Sequence, residues 1–414
     1  MGWSIFALLP GCYSPSYVDC AVTCASGFGC PSGLTCDTTV NACRAPAMVG
    51  QACAGAGRDA GIDAACDWKG LYPASNIDPC SSLIPMAVPA ITIDISGTTT
   101  FDTDNGKWTT AGTTVDLPGA IVSSLWVIHT TSFIIDQDSI VNLIGKSPLL
   151  IIADSTISIA GNLDATASSL AEAADCGMPD GLALSLGGQG GGGGGYAVAG
   201  ANGGSTGVLG LRPGEMANGD PTLATLRAGC RGGNGGSPAT GLLGGLGGAA
   251  GGAFGLIAGE SITITDRGTL LAGGGGGGGG SNANACDATP CSSGGGGGGT
   301  GGSILFEAPM IAIDGALCAA GGGGGEGGVA NGATAGSAPN ADECHAGQAG
   351  SGAADPGGTG GDTITPTGLD GTSSTADSGG GGGGSVGRIY LHARLQPGTG
   401  GSAVFLPEPT TQFP

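Results

Sequence analysis

Unbroken runs of glycine, the longest being Gly273–Gly280, set the first limit on what this chain can fold into. Such runs offer no side chain to a core, and ordering glycine costs more conformational entropy than ordering any other residue. Glycine fills 93 of 414 positions without a G-X-Y period along the chain, which excludes collagen and points first to a disordered linker. Against a linker throughout, the runs alternate with short aliphatic stretches and the mean hydropathy is positive, at +0.23. Aromatic residues make up only 4% of the chain, so the core available is thin and built from Ile, Leu, Val and Ala.

The formal net charge of −21 leaves no basic stripe to replace phosphate counterions, which excludes nucleic acid as a partner. It fits a soluble, self-repelling surface. With so much glycine, GxGxxG matches carry no information, and none continues into the Gly-Lys-Ser/Thr of a phosphate loop, so nucleotide binding has no support. The 15 cysteines stand beside only three histidines and no paired CxxC clusters, which argues for oxidised, exported cysteine rather than metal sites.

Export is also written at the start. The apolar run Trp3–Leu9 leads into Leu9-Pro10-Gly11-Cys12, which resembles a bacterial lipoprotein signal. The resemblance implies cleavage after residue 11, diacylation of Cys12 and a membrane contact made through lipid. Tyr13 in place of Asp after that cysteine implies an outer-membrane lipoprotein, surface-exposed or secreted. No apolar stretch approaches the 18 residues of a spanning helix. Removing Cys12 leaves an even set in each half: Cys20, Cys24, Cys30, Cys36, Cys43, Cys53, Cys66 and Cys80, then Cys176, Cys230, Cys286, Cys291, Cys318 and Cys344. Disulfides are expected within each set, with Cys286–Cys291, Cys318–Cys344 and Cys176–Cys230 as the later pairs. Residues 12–45 form a cysteine-rich module whose Cys30-Pro31-Ser32-Gly33-Leu34-Thr35-Cys36 resembles small disulfide-stapled modules of secreted bacterial lipoproteins. Residues 46–90 read as a disulfide-tied linker, 91–406 as a repeat domain and 407–414 as a tail.

From residue 91 the pattern turns to strands. Ile91–Ile95 alternates, as does much of Ser124–Ile135. Leu149-Leu150-Ile151-Ile152-Ala153 precedes Ile157-x-Ile159-x-Gly161-x-Leu163-x-Ala165. The same order returns at Leu256–Ala272 and at Ile304–Ala319, and its first half returns at Ile389–Ala393. One unit is too small to bury its own apolar face, whereas stacked copies share a core. This predicts an all-β fold, a right-handed parallel β-helix with long Gly-rich loops preceded by a disulfide-rich module. A Gly-interrupted β-sandwich is the alternative. Ile262, Ile264, Ile311 and Ile313 are expected to point inward, with Asp314 on the opposite face. The stretch 91–406 resembles the β-helix-like part of glycine-rich secreted bacterial lipoproteins, a sequence type that implies no activity.

The glycine runs enter and leave at one equivalent turn, so they should emerge side by side along one edge. They are expected to stay mobile; the alternative is packing as extended threefold helices like polyproline II, which need no side chains and span about 25 Å for eight residues. Candidate chemistry is sparse. His129, on a strand, His345, on a Gly-rich loop, and His392, on the last strand, are far apart in sequence and read as structural. Asp102-x-Asp104-Asn105-Gly106 resembles the first half of a calcium loop but lacks the later acidic ligands, so Asp102 and Asp104 read chiefly as an Asx turn, with calcium as the alternative. No other cofactor is implied. The expectation is a non-enzymatic cell-envelope protein of structural or adhesive role, contacting surface glycan or matrix. Its alternatives are a carbohydrate-active lyase or hydrolase and a calcium- or ice-associated surface module.

Overall fold

The computed structural model describes residues 34–37, 42–44, 46, 92–166, 176, 180–181, 188–206, 210–217, 223, 225–238, 243–283, 291–328, 333–339, 344–352, 355–373 and 378–412. The chain divides into two units, Met1–Asp67 and Trp68–Pro414. In the first, Thr35–Asp37 pairs antiparallel with Ala42–Arg44, setting Cys36 opposite Cys43, and each of these cysteines belongs to a disulfide. The 1–11 leader, Cys12, Cys20, Cys24, Cys30, Cys53, Cys66, Cys80 and Cys286 lie outside the described residues.

The second unit is all-β among the described residues, with parallel and mixed sheets. No helix of the described residues is long and apolar enough to cross a membrane. Successive stretches of chain add one strand to each of three sheets, always in the same order. Sheet 1 holds Leu125–Thr130, Leu149–Ala153, Ala253–Ala258, Ser303–Ala308, Arg388–Ala393 and Thr410–Gln412, all parallel. Sheet 2 stacks Thr92–Ile95, Ser132–Ile135, Thr156–Ile159, Ser261–Ile264, Met310–Ile313 and Gly398–Thr399. Sheet 3 stacks Thr98–Asp102, Ile140–Ile144, Asn162–Asp164, Thr269–Leu271, Ala316–Cys318 and Val404–Leu406. Thr410–Gln412 thus pairs with Tyr390–His392 rather than trailing as a tail.

Register turns the repeat into ladders. Ile93, Phe133, Ile157, Ile262 and Ile311 stand in line on sheet 2, as do Ile95, Ile135, Ile159, Ile264 and Ile313. Both lines are buried, facing Ile128, Ile151, Leu256, Phe306 and Leu391 of sheet 1 and Val141, Leu163, Leu270 and Leu317 of sheet 3 in one core. Period-two alternation places every second residue there, which is why Ile-x-Ile recurs. The repeat glycine has a steric cause: a Cβ on Gly315 would lie 2.1 Å from the Gly268 carbonyl oxygen, and one on Gly161 would lie 2.4 Å from that of Ser139. At the end where the stack begins, Lys107–Thr110 and Thr113–Asp116 extend sheet 3 antiparallel, and Ala120–Val122 does the same for sheet 1. These antiparallel additions occupy strand edges that would otherwise pair with other chains.

The four inward isoleucines stand as expected, but Asp314 does not sit on a free outer face. It is half-buried in the corner after Ile313, its N–H donates to the Ile264 carbonyl, and its carbonyl accepts from Ser402 Oγ at 2.8 Å. Its carboxylate also occupies the space beside Gly400. Met310, 52% exposed, is the proper outward reference on that strand. Ile313→Asp should cost several kcal/mol by burying an unpaired charge, whereas Met310→Gln should stay within about 0.5 kcal/mol. Paired denaturation curves under oxidising conditions check this; equal losses would mean the facing is wrong.

Candidate functional site

All the long insertions leave sheet 3 and return to sheet 1, so they share one edge of the stack. They span 165–252, 272–302 and 319–387. Within each, glycine-rich runs travel out and back, and the expectation that they stay mobile is corrected by their hydrogen bonds. In run 294–302, the N–H groups of Gly294, Gly297 and Thr300 donate to the carbonyls of Gly236, Gly233 and Cys230. Those of Gly295, Gly298 and Gly301 donate to Gly379, Gly382 and Ser385, and those of Gly296, Gly299 and Gly302 to Gly278, Gly275 and Ala272. A partner that changes with each residue and returns every third is the signature of a threefold extended helix of the polyproline II type.

The carbonyls of the same run accept from three further runs, through Gly245, Gly248 and Gly251, through Gly191 and Gly194, and through Gly322 and Gly325. The run is therefore enclosed on all six sides, as in a hexagonal lattice. Runs 321–328 and 379–387 are enclosed in the same way, and the three lie against one another. Parallel and antiparallel neighbours occur together. Exclusion of Cβ explains the sequence here: on Gly297 it would lie 2.1 Å from the Gly192 oxygen, on Gly298 2.0 Å from that of Gly322, and on Gly299 1.9 Å from that of Ala249. Each position faces a different neighbour, so over 294–299 all three phases must be glycine. Left-handed backbone is not the reason, since Gly368 is the one bundle glycine with positive φ among the described residues.

Outer runs have fewer neighbours and admit side chains, at every third position over 243–249 and at two of every three in 366–373. In 243–252 these are Leu243, Leu246 and Ala249, the leucines 76% and 73% exposed. In other outer runs polar side chains cover outward N–H groups. Asn234 Oδ1 accepts from Gly247 N at 2.9 Å, Asp370 Oδ1 from Asn202 N at 2.8 Å, and Ser337 Oγ from Gln348 N at 2.9 Å. Glu326, fully buried, interrupts an enclosed run, and its carboxylate accepts from the N–H and hydroxyl of Thr334 at 2.9 and 3.0 Å.

The feet of the bundle are fastened to the stack. The outer face of sheet 1, through Leu150, Ile152, Ile257 and Leu305, packs under Tyr196, Leu223 and Leu226. Tyr196 is buried, its hydroxyl meets Ser303 Oγ at 2.6 Å, and the Arg227 guanidinium lies 5.1 Å from its ring centre. Burial pushes the Tyr196 pKa up; Ser303, Arg227 and Arg388 oppose that only in part, so the phenol stays protonated. Disulfides Cys176–Cys230 and Cys318–Cys344, with Cα atoms 5.6 and 5.5 Å apart, pin two feet. The Glu215 carboxylate lies within 4.8 Å of the first bridge.

Asp102 and Asp104 do not converge on a common point. Asp102 Oδ1 accepts from the N–H groups of Asp104 and Asn105, each at 3.0 Å, and Oδ2 accepts from Asn105 Nδ2 at 2.8 Å. Asp104 Oδ1 instead accepts from Lys146 N at 2.7 Å, tying the turn to the next layer. Slight burial works to raise the Asp102 pKa, but the three bonds from Asn105 and Asp104 outweigh it and hold the carboxyl below the usual range. Sequence reading missed two acid–histidine pairs on the outer face of sheet 1. His129 Nε2 meets Asp154 Oδ1 at 2.8 Å, and His392 Nδ1 meets Glu307 Oε1 at 3.3 Å with the glutamate buried. Aligning Phe306-Glu307-Ala308 with Leu391-His392-Ala393 puts Glu307 and His392 at one repeat position, a signal that was available. His129 and His392 share that ladder but stand four strands apart, about 19 Å at the spacing of strands. His345 is exposed beside Cys344.

Comparison with models of known families, with curated proteins and with solved structures found no match.

The enclosed runs generate a steric prediction. Gly297→Ala should destabilise by about 1–3 kcal/mol or more through overpacking, and should raise amide exchange across 229–236 and 294–302. Leu246→Ala, outward on 243–252, should change stability by less than about 0.5 kcal/mol. Equal tolerance at both positions in chemical denaturation would refute an ordered bundle. Asp102 generates one on pH. Its folded pKa lies below the unfolded value near 3.9, so its contribution is present above that pH and is lost as pH falls through the folded value. The protein should lose stability below about pH 4 more steeply than an Asp102→Asn variant; parallel slopes in that window would remove the assignment.

Proposed function

We propose that this chain is a non-enzymatic surface protein of the bacterial cell envelope, with a structural or adhesive role. On this reading the three sheets wind as a right-handed parallel β-helix that serves as a spine. The disulfide-rich module and a lipid on Cys12 tether it to the outer membrane, and the glycine bundle is a rigid platform held away from the spine. The single observation that supports it best is the enclosure of runs 294–302, 321–328 and 379–387 by neighbours on every side. An ordered lattice of bare backbone fixes the turns at its far end relative to one another, as a contact surface requires and a mobile loop would not provide. The charge of −21 keeps such a body dispersed and directs it toward neutral or cationic partners such as surface glycan or matrix.

Two measurements test the reading. Labelled palmitate should enter the protein in cells, and Cys12→Ser should abolish the label and release the protein from the membrane fraction; an unlabelled soluble parent would end the lipoprotein assignment. Beads coated with the Cys12→Ser protein should be retained under flow on a glycan- or matrix-coated surface, and beads bearing a Gly297→Val form should not. Retention no better than that of uncoated beads would overturn the adhesive role.

A further inference from the structure

The end where the stack begins contains a hollow of about 280 Å³ that the bundle does not touch. Its wall is the antiparallel extension of sheet 3. Cross-strand pairing sets Trp108 opposite Val115 and Thr110 opposite Thr113, so these four side chains share one face. Its rim is the first strand of sheet 2 and the residue after it, through Asp94, Ile95 and Ser96.

The indole is held in place before any ligand arrives. Trp108 Nε1 donates to Thr110 Oγ1 at 2.6 Å, and its ring packs edge-on against Phe101 with centroids 5.2 Å apart. The Thr110 hydroxyl also meets that of Thr99 at 2.9 Å, which fixes the wall further. By contrast, Asp94, Ser96 and Thr113 are exposed, and no hydrogen bond of their side chains occurs among the described residues. A fixed aromatic surface therefore shares its wall with the Thr113 hydroxyl, and the Asp94 carboxylate and Ser96 hydroxyl of the rim are likewise free to bond. No Lys or Arg lines the hollow.

We infer that this hollow binds a single neutral or amino-substituted sugar ring, as at the end of a glycan chain. A pyranose offers a C–H face for the indole and hydroxyls for Asp94, Ser96 and Thr113, and an amino group would complement the Asp94 carboxylate. The volume equals roughly nine waters, room for one ring rather than a bound chain. A uronic or sialic acid would meet Asp94 within a strongly acidic molecule and is rejected. The inference rests on the reading of the chain as a glycan-contacting surface protein and adds a second place for such contact, apart from the bundle.

The experiment uses the full chain with Cys12→Ser and a set of methyl glycosides: glucoside, galactoside, N-acetylglucosaminide, glucosaminide and glucuronide. Saturation-transfer NMR and calorimetric titration should show saturable binding of at least one neutral or amino glycoside and none of the glucuronide. Asp94→Asn and Thr113→Arg, both at exposed positions, should weaken binding at least tenfold without moving the melting temperature. Absence of saturable binding, preference for the glucuronide, or binding indifferent to both substitutions would overturn the site. Bead retention separates the two ideas. Retention unchanged by Thr113→Arg, with no glycoside bound, refutes this site and leaves adhesion standing; glycoside binding without retention does the reverse.

Discussion

The glycine bundle of the second unit depends on one interaction, the peptide N–H to carbonyl bond made sideways between extended threefold runs. In an α-helix these bonds are internal, and in a sheet they point two ways. In the bundle they radiate in three directions and are received from three more. A typical bond of this kind nets about 0.5–1.5 kcal/mol, while ordering glycine costs more than ordering any other residue. The balance is favourable only when nearly every N–H and carbonyl of an enclosed run has a partner. Partial enclosure would leave the entropy cost without its compensation. Close approach also brings glycine Cα–H groups onto carbonyl oxygens, a contact worth about 0.5–1 kcal/mol each and available here only where Cβ is missing.

The stack supplies what the runs cannot provide for themselves. Isolated glycine runs have no side chains to choose a register or a neighbour. Here the runs that leave Leu271 and Cys318, and those that return at Ala253, Ser303 and Arg388, are anchored on strands. Those anchors sit on adjacent strands, so consecutive runs start side by side. The hydrophobic foot around Tyr196 and the two disulfides fix the base of the outermost runs. Folding of the bundle is thus coupled to the aliphatic ladders. A core built from Ile, Leu and Val organises a region that has almost no side chains.

Much of this was legible in the sequence. Ile-x-Ile-x-Gly-x-Leu announced the ladders because burial there is dictated by the period of a strand. The common edge of the glycine insertions followed from where the runs flank the repeats. The layer Leu125–Ile144 escaped as a copy because Phe133 replaces isoleucine and Ser139 takes the place of the repeat glycine. Of the layer near the end only the first half, Ile389–Ala393, was legible, because Gly398–Thr399 has little apolar surface to bury. The order of the bundle was not legible from Gly273–Gly280 alone, since bare glycine is equally compatible with a mobile tether. The distinguishing signal lay in the flanking runs, where Gly232-Gly233-Asn234-Gly235-Gly236 and Gly244-Gly245-Leu246-Gly247-Gly248 admit a side chain only at every third place. A mobile loop has no reason to keep that phase.

That phase has a consequence for the molecule's size. A lattice of glycine helices is a crystallite, and nothing in its internal bonding says where it should stop. Each new row offers the same unsatisfied groups as the last. Growth is arrested by the side chains on the facets: Leu243 and Leu246 occupy space the next row would need, and Asn234, Asp370 and Ser337 bond N–H groups that would otherwise template it. The cross-section of the body is therefore encoded in a few non-glycine residues rather than in the glycines. Drift of those facet residues to glycine would leave the interior untouched yet convert a bounded particle into a seed.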